Sequence, residues 1–163
     1  MMIHRSMTLL TALLCTTVVM AAGAVTLQSP DKVKNSLRLL AYVQADMASK
    51  LPNRAYARLP HEVQEFQEAA PALTNVVVGE PQEFRSKVDA LLKKAVAAAL
   101  QVDSISKTGE DVKITAAVAA VDSELQLLNQ LFPAELRPVP GQLGAGPGAR
   151  RGGPAAGPPP DLR

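Results

Sequence analysis

The sequence predicts an all-α fold: an up-down-up-down antiparallel four-helix bundle followed by a disordered Pro/Gly-rich C-terminal tail. Three observations predict it. Apolar residues recur at helical spacing in four successive stretches, glycine is kept out of those stretches, and no β-branched run is long enough to found a sheet. Of the ten glycines, seven lie after Pro138, one lies near the N-terminus, and the remaining two, Gly79 and Gly109, separate periodic segments. The prolines agree: Pro30, Pro60 and Pro81 sit at or near first-turn positions, while Pro52 and Pro133 follow helix ends.

The first helix is expected over about Pro30 to Lys50, with Ser29 as N-cap and Val33, Leu37, Leu40, Val43, Met47 and Leu51 as its buried stripe. The second is expected over about Pro60 to Val78, burying Val63, Phe66, Ala70, Leu73 and Val77. Pro71 falls inside it, where the ring and the missing N–H kink or split a helix at about 3 kcal/mol if nothing compensates. The third is expected from near Pro81 to about Val102, with Phe84, Val88, Leu91, Ala95, Ala98, Ala99 and Val102 on one side.

The fourth helix, between Thr108 and Pro133, is the clearest, because Ile114, Val118, Val121, Leu125, Leu128 and Phe132 recur at steps of three and four. Thr108 and Asp111 stand in capping-box register, and Glu110 and Asp111 complement the positive end of the helix dipole. Four helices of roughly twenty residues are each about 30 Å long, and short connections make sequential neighbours antiparallel. The alanines from Ala95 to Ala99 and from Ala116 to Ala120 allow the third and fourth helices a close-packed seam.

Three segments follow: a cleaved signal peptide over 1–24, the bundle over 25–137, and the tail over 138–163. The first has a short start carrying Arg5, a sixteen-residue apolar run from Met7 to Ala22, and the small-x-small pattern Ala22-Gly23-Ala24. The run is short of the roughly 20 apolar residues that span a bilayer. Cleavage gives a periplasmic or secreted protein without stable membrane insertion. The lone cysteine, Cys15, leaves with the signal, so the mature chain has no disulfide, thiol nucleophile or cysteine metal site. Loss of Arg5 leaves sixteen basic residues against fifteen acidic ones, a net charge of +1, and the mature chain has no Trp. That composition argues against a nucleic-acid partner, which would meet a concentrated basic face with stacking aromatics. The tail holds seven Pro and seven Gly in twenty-six residues and little apolar bulk, so burial cannot offset its ordering entropy. Its Arg150-Arg151 pair is a weak handle for an anionic partner in salt.

No catalytic, cofactor-binding or metal residue is assigned from the sequence, and an enzyme is not expected. The mature chain has one histidine, His61, and one methionine, Met47. His61, Glu65 and Glu68 share the outer side of the second helix, where a solvated acidic turn is favoured over a weak divalent-metal site. No Glu-x-x-His pair supplies a di-iron core and no Gly-x-Ser-x-Gly elbow is present. The acidic residues of the helices are expected on polar faces.

The signal peptide, the Pro81-Gln82-Glu83-Phe84 start of an alanine-rich third helix and the alanine-rich fourth helix make about Ser29 to Pro133 resemble the cytochrome c-prime type of exported four-helix bundles and their b-type relatives. That family carries Cys-x-x-Cys-His near the end of its fourth helix, the cysteines holding haem and the histidine ligating iron. The corresponding residues here are Leu125-Gln126-Leu127-Leu128-Asn129, so the resemblance implies no covalent haem and no axial histidine. Two functions follow. The first is a haem-free binding or structural module of the envelope, with an unidentified envelope protein as partner and its oligomeric state, a homodimer included, left open. The alternative is an electron carrier with non-covalent haem, for which Met47 is the one inward-facing ligand type, although methionine is more often core filler. A chaperone or metal-stress sensor is a weaker third, since the apolar stripes look narrow enough to be used up by one core. Asn129 lies close to the apolar face of the fourth helix, and its amide is expected to need a buried hydrogen-bond partner or a water.

Overall fold

The computed structural model describes residues 27–139. The expected signal peptide over 1–24 lies outside them, as does the tail beyond Val139. The described residues form four helices and no strand: α1 Pro30–Ser49, α2 Leu59–Val76, α3 Gln82–Ser106 and α4 Asp111–Gln130, with short 3-10 turns at Tyr56–Arg58 and Ala134–Leu136. Each helix packs against the next and α4 closes against α1, most intimately between α3 and α4 and more loosely between α1 and α4.

The buried stripes follow the 3.6-residue period. Val33, Leu37, Leu40, Val43 and Met47 of α1 are buried, and Leu51 lies half-buried past its end. Ser29 is the N-cap of α1, but only its carbonyl serves, accepting from Val33 N at 3.0 Å. α2 buries Val63, Phe66, Ala70 and Leu73, with Val77 just beyond its end, and runs unbroken through Pro71. Pro71 and Gln67 are both exposed, so the carbonyl left without its i+4 donor is on the wet side of the helix.

Two expectations for α3 and α4 are corrected. Leu92, not Leu91, is the buried member of its pair. It borders a groove against α2, so the apolar face of α3 turns far enough to serve both neighbours. Thr108 does not cap α4. Its hydroxyl donates to the Ile105 carbonyl at 2.8 Å, finishing α3, which runs four residues past Val102. Gly109 then adopts φ +71°, and Glu110 takes the N-cap position of α4.

At the far end of α4, Phe132 meets Phe84 edge to face, with centroids 5.5 Å apart, and Leu136 is buried. Arg137 donates through Nε to the Phe132 carbonyl at 2.8 Å and through a terminal nitrogen to the Gln130 carbonyl at 3.3 Å. These bonds satisfy carbonyls the helix end leaves free.

Candidate functional site

The five-residue stretch singled out in α4 divides between the core and a groove. Leu125 is 4% exposed and Leu128 fully buried, whereas Gln126 and Leu127 are exposed. Asn129 is half-buried and lines an open groove of about 490 Å³ between α1 and α4, so its amide is open to water, one of the two partners expected for it. Ala41, Ala45 and Leu125 provide the apolar part of this groove. Gln44, Gln126, Asn129 and Gln130 line it with carboxamides, and Asp122 and Arg137 add one charge of each sign. The Asp122 carboxylate accepts from Gln126 at 2.6 Å. Carboxamides each carry donors and an acceptor, so this lining can match peptide-like groups without a net charge.

The other singled-out residues are placed differently. Met47 is fully buried within the core of α1. His61 and Glu65 approach to 3.3 Å on the exposed face of α2, but Glu68 turns to Gln64 and accepts from its amide at 2.9 Å. Among the described residues no three His, Asp or Glu side chains come together in a metal-holding group.

The expectation that the acidic residues of the helices lie on polar faces fails at Glu62 of α2, and Glu80, in the connection after α2, is buried as well. Glu62 is 4% exposed and Glu80 is 6% exposed. Glu80, between α2 and α3, accepts from the Gln28 backbone N–H at 2.8 Å, while the Gln28 side chain donates to the Gly79 carbonyl at 3.0 Å. A Cβ on Gly79 would run into that Gln28 side-chain amide, so glycine here leaves room for the amide to lie against the backbone, and a larger residue would push the flexible Gln28 side chain aside.

Glu62 belongs to a charged cluster where α1 ends and α2 begins. Lys50 Nζ lies 2.7 Å from Asp46 Oδ1 and 3.4 Å from Glu62 Oε1, and Ser49 Oγ donates to Asp46 at 3.0 Å. Burial pushes the Glu62 carboxyl above its usual range, the Asp46 carboxylate pushes the same way, and Lys50 opposes both. Burial also acts upward on Asp46, but its bonds with Lys50, Ser49 and Glu62 outweigh it and leave that carboxyl below its usual value. The Asp46 hydrogen bond holds the Lys50 ammonium above its usual range against burial. The sequence signal for this cluster was slight: Asp46 and Lys50 are an i, i+4 pair, but Glu62 reaches them only through the turn between the helices.

The same connection reaches α4. Tyr56 donates its hydroxyl to Asp111 Oδ1 at 2.9 Å, and the Arg54 guanidinium pairs with the other oxygen of Asp111. Arg54 itself has φ 51°, a left-handed conformation that costs a non-glycine residue about 1 kcal/mol or more. Compared with protein families, curated proteins and solved structures, the chain matches no family model, no curated protein and no solved structure.

Proposed function

We propose that this chain is an exported, haem-free helical bundle that acts as a non-enzymatic binding or structural module of the cell envelope. The up-down-up-down arrangement is part of the proposal. Its support is the ring of helix contacts and the short connections, five residues between α2 and α3 and four between α3 and α4. Export is supported by the sequence of residues 1–24, and among the described residues no helix is long and apolar enough to cross a membrane.

The observation that carries the haem-free reading is the fate of Leu125, Leu128 and Asn129. Where the cytochrome c-prime resemblance puts two thioether cysteines and an axial histidine, α4 supplies two leucines packed into the core and an amide facing the α1/α4 groove. Met47, the alternative ligand, is enclosed among core side chains. The groove is the proposed contact surface. Its carboxamides suit the backbone of an extended polypeptide segment, with Ala41, Ala45 and Leu125 beneath it.

The test is colour. Protein purified from a haem-replete periplasm is expected to be helical by circular dichroism and to show no Soret band. A Soret band at near-stoichiometric haem overturns the reading in favour of a non-covalent haem carrier.

A further inference from the structure

We propose that the cluster of Asp46, Lys50 and the buried Glu62 is a proton-operated latch, fastening the 50–58 connection when the two carboxylates hold one proton between them and loosening it when that proton is lost. The geometry supplies the reason. Two carboxylates meet one ammonium, so the fully ionised cluster has a net charge of −1, and its most enclosed member is Glu62. A buried charge without full compensation is costly, and the cheapest remedy is to bind a proton. With one proton between Glu62 and Asp46, the cluster becomes neutral and keeps its bonds to Lys50.

The connection is the element this choice biases. Leu51 N, Arg54 N and Ala55 N donate to the carbonyls of Ala48, Leu51 and Lys50 at 3.0–3.2 Å, so its turns are built directly on Lys50 and its neighbours. It also contains Arg54 in a left-handed conformation, a strain that persists only while the surroundings hold it. Tyr42 of α1 and Glu65 and Glu68 of α2 line a groove together with Asp46, and the other charged or titratable groups at this end are Arg54, Tyr56 and Arg58 of the connection, His61 of α2, Asp103 and Lys107 at the end of α3, and Glu110, Asp111 and Lys113 at the start of α4.

The direction of the effect follows from linkage. A carboxyl whose folded value is raised gives stability that is complete at low pH and lost as pH rises through that value, which is the case for Glu62. Asp46, with a lowered value, gives stability that disappears only as pH falls through it. The latch is therefore tightest in the mildly acidic window between the two.

The experiment is amide hydrogen exchange on the intact protein from pH 4.5 to 8, corrected for intrinsic exchange, read at Leu51, Arg54 and Ala55. Protection in the wild type is expected to fall about tenfold per unit of Glu62 shift as pH rises through the Glu62 titration. Glu62→Gln is expected to remove that dependence, and His61→Gln to leave it unchanged. Asp46→Asn leaves Glu62 paired one-to-one with Lys50, so the dependence should move to lower pH. This variant and the carboxyl NMR titration of Glu62 decide the matter even if Glu62→Gln does not fold. A wild-type profile that is flat, or one that Glu62→Gln and Asp46→Asn leave unaltered, overturns the latch.

Discussion

The two sides of α4 are packed by different rules. Towards α3 lies the closest of the helix pairings, and Ala95, Ala98 and Ala99 of α3 and Ala117 of α4 are buried small side chains that favour close approach, whereas Ala97, Ala116 and Ala119 are exposed. Towards α1, the same helix presents Asp122, Gln126, Asn129 and Gln130, and Gln44 of α1 stands with them, leaving a groove of about 490 Å³. A bundle can thus use one flank of a helix for close packing and leave a polar groove on the other. The contrast is set by side-chain size and polarity, since the backbone of α4 is continuous from Asp111 to Gln130.

Substitutions on the two flanks test this contrast, and the largest effect should come from Leu128→Ala. Leu128 is fully enclosed, so a cavity there should cost about 2–5 kcal/mol in urea unfolding. Leu125→Ala, which borders the groove, should cost distinctly less because the space opens towards solvent. Equal losses would mean that the groove is closed in solution. Next, Ala99→Leu should overpack the α3/α4 seam and cost about 1–3 kcal/mol by the same measurement. Its counterpart across the helix, Ala45→Leu, should change stability by no more than about 0.5 kcal/mol, and a comparable penalty at both sites would abolish the distinction.

Gly109→Ala probes the turn that sets α3 beside α4. Nothing stands within 4 Å of the added carbon, so its cost of about 1–2 kcal/mol in thermal melts should come from the left-handed backbone alone. The smallest effect is expected from Asn129→Leu, neutral or stabilising by less than about 1 kcal/mol, because the amide is half-buried on the open flank. A large loss in thermal melts would show that Asn129 anchors something in the groove.

Much of the closed flank was legible in the sequence. Every apolar position expected for α4 is buried, because steps of three and four leave a helix only one core face. Leu91 and Leu92 were not separable, since adjacent leucines are both apolar and only the position of α2 decides which one turns inward. The fate of Pro71 was also unreadable: its cost depends on whether the orphaned carbonyl meets water, which is a property of exposure and not of residue type. The groove and the buried charges were hidden for a related reason. Glu62 at the first turn of a helix has the pattern of a solvated dipole partner, and its burial depends on how the 50–58 connection folds Lys50 over it. Glu80 likewise looks like a loop acid until Gln28 is brought against it.

The order of the helix contacts also bears on how quickly this chain can find its structure. Most contacts join consecutive helices, so they close short stretches of chain, and proteins built that way have low contact order and fold in microseconds to milliseconds. The α1/α4 side is different, because pairing Ala45 with Asn129 encloses two whole helices and carries the largest loop-closure entropy of the four flanks. The most loosely packed flank of the finished protein is also the one that chain entropy makes hardest to close.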